Sequence, residues 1–117
     1  MEEGEFLFFR GSTPTLELVL PLAVGRTDTV CLTLAQGGRT VLEYAINGTA
    51  SPAGTGTLRR DEAEENLLLL TMSQADTLAL EAGDLELQLR LKNDVGADSF
   101  RPLRGRVGPV LREGVLA

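Results

Sequence analysis

Residues 83–92 read GDLELQLRLK and decide the fold class. Leucine occupies every second position from the third residue of this stretch onward, at Leu85, Leu87, Leu89 and Leu91. The positions between and beside them are polar or charged, namely Asp84, Glu86, Gln88, Arg90 and Lys92. This period of two is typical of a strand, because a helix would spread the leucines around its circumference. One face is therefore buried while the other meets water or a partner, which is the pattern of an antiparallel sheet.

Other runs along the chain also predict strands. A hairpin is predicted over Thr29–Ile46, because Gly37-Gly38 separates two segments with alternating apolar residues. Glycine allows the positive φ that a tight turn requires. The short apolar run Leu67–Met72 favours a buried strand. About seven such runs occur, with turn residues roughly every eight to twelve positions. They predict an all-β fold, an immunoglobulin-like antiparallel β-sandwich.

One short helix is predicted before the strand Asp84–Lys92. Ser73 is a suitable N-cap, and Asp76 follows at the third position after it, where a carboxylate favours a helix start. Gly83 is predicted to end the helix, since glycine is the usual C-terminal signal. The helix thus leads the chain into the central strand.

The domain organisation follows from the length and from the two ends. At 117 residues the chain is large enough to bury one core without disulfides or a metal. We expect a single sandwich domain over residues 10–117, preceded by residues 1–9 as a tail or docking strand. The apolar patch Phe6–Phe9 either forms a first strand or docks on a neighbour. Candidate partner-contact residues at the two ends are Phe6, Phe8, Phe9, Val110, Leu111, Val115 and Leu116.

Composition excludes several classes of function. The net charge of −6 argues against a nucleic-acid partner, because such binding depends on Lys and Arg neutralising phosphates. No apolar run approaches the length of a membrane-spanning helix, so no membrane partner is expected. The chain has no His and one Cys, Cys31, which we interpret as a structural thiol, since a nucleophilic thiol would need a base. We therefore expect no enzyme activity, no metal and no other cofactor.

Two loops are candidate ligand sites. Residues 47–56, NGTASPAGTG, are small and polar and predict a mobile surface loop. Residues 61–65 carry four carboxylates, yet they lack the alternating Asp/Asn and the Gly of a calcium loop, so a solvated turn is the favoured interpretation. Aromatic residues, which build sugar-binding platforms, make up only 4% of the chain.

Three short motifs carry a resemblance to a known group of proteins. They are RGST at residues 10–13, LTMSQADTL at residues 70–78 leading into the strand after Gly83, and VLREGV at residues 110–115. With them the chain, from Arg10 onward, resembles small β-sandwich proteins of phages and prophages of Gram-positive bacteria, similar to the N-terminal domain of baseplate upper proteins. None of the motifs is catalytic. The low aromatic content and the long loop at residues 47–56 depart from the pattern of the group.

The resemblance implies a structural function. The chain would be a tail- or baseplate-associated module that binds other virion or tail subunits, with self-association as a further option. It would be made in the cytoplasm of the host bacterium and then be assembled into the virion. The alternative, a module that binds cell-surface carbohydrate, stays open at the level of sequence because a sandwich fold with an exposed loop suits that function as well.

Overall fold

The computed structural model describes residues 5–93, 96–100 and 102–110. Within these ranges the chain forms nine strands and one helix. Their bounds, in chain order, are β1 (Glu5–Phe9), β2 (Thr15–Val19), β3 (Thr29–Gln36), β4 (Arg39–Ile46), β5 (Thr57–Arg60), β6 (Leu67–Thr71), α1 (Gln74–Ala79), β7 (Gly83–Lys92), β8 (Ala97–Ser99) and β9 (Leu103–Gly108). The all-β prediction is confirmed.

The strands form two sheets. The larger sheet has the order β1-β9-β7-β3-β4, and β8 pairs with the far end of β7. The smaller sheet has the order β2-β6-β5. β7, the strand with alternating leucines, is the third strand of the larger sheet and pairs with β3 on one side and with β8 and β9 on the other.

The core lies between the two sheets. The four leucines of β7 are buried and its intervening side chains are exposed, as the period of two predicts. The predicted hairpin is also confirmed, since β3 and β4 pair on either side of Gly37-Gly38. The smaller sheet contributes its own inward side chains, and those that are fully buried are Leu68 and Leu70. Two layers of leucine-rich strands therefore build one apolar interior.

Nine strands are described against about seven predicted, and an interruption near Pro102 accounts for one of the two additional strands. In the sequence Pro102 and Gly105 interrupt the strand signal that begins at Ala97, which indicates a bulge or a change of sheet. The structure divides this stretch into β8 and β9, which pair with different parts of β7. Proline has no N–H to donate to a ladder, so a break in pairing at this position follows from its chemistry.

The helix is short, as predicted, but it does not extend to Gly83. Ser73 is its N-cap and accepts a hydrogen bond from the Asp76 N–H at 3.1 Å, as expected. However, the helix ends at Ala79, and the next residue already has extended backbone angles. Gly83, predicted to end the helix, instead begins β7 with φ at +134°. Burial explains the early end, because the side chain of Leu80 is completely covered by the core.

The first strand belongs to the sandwich itself. β1 pairs with β9 in parallel, with Phe9 opposite Gly108, and this is the one parallel pair among the named strands of an otherwise antiparallel sandwich. The two strands come from opposite ends of the chain, and no tight turn forces them to run antiparallel. Residues 5–9 are therefore a strand of the larger sheet, while residues 1–4 lie outside the described residues.

The loop at residues 47–56 lies at the surface as predicted, but it is fastened rather than free. Glu43 of β4 donates its N–H to the Pro52 carbonyl at 2.8 Å and accepts from the Gly54 N–H at 3.0 Å. Next to them, the Ser51 N–H donates to the Glu43 carboxylate at 3.1 Å. The loop thus covers the outer edge of β4 like a short added strand.

Two of the motifs that carry the resemblance meet in space. The turn after β1 contains RGST, and its Gly11 N–H donates to the Thr77 hydroxyl at 3.0 Å. That hydroxyl donates in turn to the Ser12 carbonyl at 2.8 Å. Arg10 also donates to the carbonyl of Leu78 at 3.0 Å. These bonds attach the start of the domain to α1 and explain why both motifs have a structural use.

Candidate functional site

Opposite charges lie side by side on the outer face of the larger sheet. The even-numbered residues of β7 point outward and are exposed, and so are Arg104 and Arg106 of β9. In the ladder Arg104 is opposite Glu86, and Arg106 is opposite Asp84. Arg106 forms an ion pair with Asp84 at 3.5 Å, but both side chains are well exposed, so this pair adds little to stability. These charges are consequently available to a partner.

A groove of about 700 Å³ lies at one end of this face. It is bounded by the turn between β3 and β4 on one side and by β9 and β1 on the other. We call it the sheet-end groove and define it by the lining residues Leu7, Ala35, Asp84, Glu86, Arg104 and Arg106. Its walls carry both charge signs and one exposed large apolar side chain, and no aromatic residue of the described chain lines it.

The large apolar side chain is Leu7 of β1. It is 63% exposed, the highest value among the large hydrophobic residues of the described chain. Its neighbour Phe8 is buried at 4% exposure, because successive residues of a strand face opposite sides. Leu7 therefore presents an apolar surface at the rim of the sheet-end groove.

The predicted contact residues separate into three groups. Phe8 is a core residue at 4% exposure, which leaves little of its side chain for contact with a partner. Phe9 is half-buried, and its ring lies over Gly108, where a Cβ atom would overlap it. Val110 is 39% exposed. The predictions for the Phe6 side chain and for Leu111, Val115 and Leu116 lie outside the described residues. Leu7 was missed, although the alternation of the run FLFF contains the signal for it.

A second polar cluster lies inside the domain, around Asp76. This residue is 3% exposed and accepts hydrogen bonds from the Tyr44 hydroxyl at 2.5 Å and from the backbone N–H groups of Thr55 and Gly56, both at 2.8 Å. The Thr55 hydroxyl also donates to it at 3.1 Å. Both carboxylate oxygens are thus occupied, and the cluster fastens the loop at residues 47–56 to α1 and β4.

The hydrogen bonds of this cluster keep the Asp76 carboxyl ionised and give it a structural role. Burial raises the pKa of the Asp76 carboxyl, but the hydrogen bonds from Tyr44, Thr55 and Gly56 lower it by more, so the pKa is below its ordinary value. Burial, followed by the hydrogen bond and the charge of Asp76, raises the pKa of Tyr44 far above its ordinary value. A carboxylate held ionised with all its acceptors used is unsuited to proton transfer.

The remaining candidates contain no further site. Cys31 lies on the outer face of β3, where Arg90 donates to its Sγ at 3.7 Å. Asp61 of the acidic run accepts the backbone N–H groups of Ala63 and Glu64 at 3.0 and 2.8 Å, which makes it a turn residue, as its sequence favours. In the described residues no group of three or more Cys, Asp or Glu side chains is arranged to hold a metal ion.

Comparisons with known proteins concern the fold. No protein-family model matches the chain, and no curated protein matches it in sequence. The crystal structure of CopC from Methylosinus trichosporium OB3b is similar over 92% of this chain and 86% of CopC, with 13% identity and a TM-score of 0.54. The V domain of amphioxus IgVJ-C2 matches over 91% of this chain and 100% of that domain, with 14% identity and a TM-score of 0.44.

The chain is an immunoglobulin-like β-sandwich. The two sheets described above, one of them with β9, β7 and β3 adjacent, agree with that architecture. At 13% identity the likeness to CopC shows the fold alone. Sandwich domains of this kind are typically binding or structural modules rather than enzymes, but function must be argued from the site. The one helix of the described chain has six residues, and no helix there is long and apolar enough to cross a membrane.

Proposed function

We propose that this chain is a non-enzymatic structural module of a phage or prophage, which acts through protein–protein contacts in a tail or baseplate. The observation that carries the proposal is the position of Leu7, a strongly exposed apolar side chain on an edge strand, beside a groove lined by charges of both signs. Protein interfaces combine an apolar centre with a polar rim in this way. The motifs RGST and LTMSQADTL resemble those of phage sandwich proteins, and this resemblance indicates that the assembly is a phage tail or baseplate.

The chemistry of the site supports a binding function over catalysis. The acidic residues of the sheet-end groove, Asp84 and Glu86, are exposed to water, whereas catalytic acids and bases are usually desolvated and held by a partner group. The buried carboxylate of Asp76 has a complete set of hydrogen-bond donors instead of a substrate-facing side. The chain also lacks His, the commonest general base.

The carbohydrate-binding alternative has less support. Sugar sites use exposed aromatic faces, but Tyr44 and Phe8 are buried at 3% and 4% exposure. The loop at residues 47–56, considered as a ligand loop, is fastened to Glu43 and Asp76. These observations favour protein contact over carbohydrate binding.

The location of the protein tests the phage assignment. We expect the chain to be present in particles released from the bacterium that carries the gene, after purification on a density gradient and identification by mass spectrometry. Genes for a portal, tape-measure or holin protein beside its own gene would agree. Particles that form normally and contain none of this chain would overturn the assignment.

The surface can be tested with a matched pair of variants. Leu7→Lys places a charge in the proposed contact, whereas Val19→Lys changes a comparably exposed residue, at 56%, on β2 of the other sheet. We expect Leu7→Lys to abolish incorporation into particles and Val19→Lys to leave it unchanged, with equal thermal stability for both proteins. Equal incorporation of the two variants would argue against the Leu7 surface.

A further inference from the structure

The outer edge of β1 is open in the described part of the chain. β1 is the terminal strand of the larger sheet and pairs with β9 on one side. Arg10 donates its N–H to the Gly108 carbonyl at 3.1 Å, whereas the Phe9 carbonyl accepts from Ser12 of the following turn. Because backbone groups of successive residues in a strand point to opposite sides, the N–H and C=O of Leu7 are directed away from β9. They face the open edge.

The other edge strands of the described chain, β4, β2, β5 and β8, carry features that oppose pairing with another chain, and β8 is only three residues long. The edge of β4 is covered by the loop that bonds to Glu43. β2 follows Pro14 and carries Glu17, and β5 is only four residues long and ends in Arg59-Arg60. Short length, charge, proline and covering segments are the usual protections of an edge strand. β1, with the sequence EFLFF, has no charge or proline after its first residue, and no described segment covers its outer edge.

We infer that the open edge of β1 pairs with β1 of a second copy of this chain, antiparallel, about a two-fold axis that passes beside Leu7. This inference rests on the proposed function and names one partner of the Leu7 surface. In this register Leu7 lies opposite Leu7 of the second copy, and each donates its N–H to the other's carbonyl. Glu5 then lies opposite Phe9. The two larger sheets join into one continuous sheet across the dimer.

The chemistry of the strand fits its own copy. A two-fold axis needs a register in which the central residue directs both of its backbone groups outward, and Leu7 is the middle residue of β1 and meets this condition. The pairing also places the two exposed Leu7 side chains next to each other on the same face, which removes apolar surface from water. Phe8 and the β1–β9 ladder remain as they are.

The strength of the dimer can be bounded. A five-residue edge buries far less than the roughly 1,200–2,000 Å² of a stable interface, so the dimer is weak in dilute solution and is favoured by the high local concentration inside an assembly. The net charge of −6 on each copy opposes association, so added salt strengthens the dimer.

Sedimentation velocity over a concentration series, up to about millimolar because of the small interface, tests the inference. We expect reversible dimer formation that increases with salt. Leu7→Pro removes the central N–H while sparing the bonds to β9, and we expect it to weaken the dimer at least about tenfold, since it removes two symmetric hydrogen bonds. Val19→Pro is the matched control on the edge of the other sheet and leaves dimer formation unchanged. A strictly monomeric wild-type chain would overturn the inference.

Cross-linking tests the register without requiring the proline variant to fold. In a Cys31→Ala background, we expect Leu7→Cys to form a disulfide-linked dimer under mild oxidation, because opposed residues of a hydrogen-bonded pair have Cα atoms about 5.5 Å apart. Val19→Cys should remain monomeric. A wild-type dimer in which Leu7→Cys does not cross-link would show that the copies associate through another surface, and the inference would be wrong.

The two proposals fail separately. A monomeric chain that is still found in purified particles, and lost from them in Leu7→Lys, would remove the self-pairing and leave the proposed function in place. A chain that dimerises through Leu7 but is absent from particles would retain the self-pairing and remove the phage assignment.

Discussion

The Tyr44 hydroxyl donates a hydrogen bond to Oδ2 of Asp76 over 2.5 Å, and this bond joins β4 of the larger sheet to helix α1. The same carboxylate accepts the N–H groups of Thr55 and Gly56, so it fastens three separate segments. A buried carboxylate costs several kcal/mol unless its lone pairs are satisfied, and here donors from the strand and the loop satisfy them. The loop at residues 47–56 is consequently part of the folded unit.

Removal of the Asp76 carboxylate should lower the free energy of unfolding more than removal of the Tyr44 hydroxyl. Asp76→Ala leaves the hydroxyl and two backbone N–H groups without their acceptor, and we expect the free energy of unfolding to fall by about 3–5 kcal/mol. Tyr44→Phe leaves the carboxylate with its donors from Thr55 and Gly56, and we expect a loss of about 1–2 kcal/mol.

Urea unfolding followed by circular dichroism measures both values, with Gln74→Ala on the exposed side of α1 as a control that changes little. The double variant completes a cycle, and we expect its loss to be smaller than the sum of the two single losses because the residues share one bond. Additive losses would show that the two groups act independently.

Stability should fall at alkaline pH through Tyr44. Its pKa is raised in the folded protein by burial and by Asp76, so the stability linked to this group is fully present below the unfolded pKa of about 10 and is lost as the pH rises toward the folded value. The chain has one tyrosine and no tryptophan, so the tyrosinate absorbance reports this residue alone. We expect that band to appear together with unfolding. A tyrosinate signal in the folded protein near pH 10 would contradict the buried hydrogen bond.

Stability should also fall at acidic pH through Asp76. Its pKa is lowered in the folded protein, so its contribution is present above the unfolded pKa of about 3.9 and is lost as the pH falls through the folded value. The difference in unfolding free energy between the wild-type chain and Asp76→Asn isolates this group from the other acids. We expect the difference to be constant near neutral pH and to shrink below about pH 4. A difference that grows on acidification would mean that the sign of the pKa shift is wrong.

Local patterns predicted much of the sandwich, because the features involved depend on neighbouring residues. The alternation of Leu85 to Leu91, the turn at Gly37-Gly38 and the N-cap at Ser73 each rest on a few consecutive side chains. The helix end was misjudged because Gly83 is a local signal, whereas burial of Leu80 depends on the opposite sheet. Tertiary packing outweighs a local helix-end signal such as Gly83.

The candidate site was harder to predict because its parts come from distant segments. A buried tyrosine predicts a partner for its hydroxyl, but nothing near Tyr44 in sequence identifies Asp76, which is 32 residues away. The sheet-end groove likewise depends on β1 lying beside β9. Alternation in the run Phe6–Phe9 places Leu7 and Phe8 on opposite faces, and the pairing of β1 with β9 shows that Leu7 faces outward while Phe8 faces the core.

The packing of the loop at residues 47–56 can be tested by adding one methyl group at Gly56. A Cβ atom at Gly56 would overlap the carbonyl oxygen of Thr71 and approach the Met72 Cα, and these are backbone atoms that cannot turn aside. We expect Gly56→Ala to lower the free energy of unfolding by about 1–3 kcal/mol through overpacking. Gly96→Ala is the matched control, because nothing lies within 4 Å of the added atom there. Equal stability of the two variants would show that the loop does not pack as described.

The centre of the fold can be tested at two neighbouring positions of β7. Leu87 is 1% exposed within the core, whereas Gln88 is exposed on the outer face. Leu87→Asp buries a charge without a partner and should cost more than about 4 kcal/mol, a large part of the typical stability of a domain. Gln88→Asp places the same charge in water and should change the free energy of unfolding by less than about 0.5 kcal/mol. Because the two residues are adjacent in sequence, only the face each occupies distinguishes them. A cooperative, unshifted thermal melt for Leu87→Asp would therefore refute the central position of β7, while unfolding of both variants would refute the assignment of its two faces.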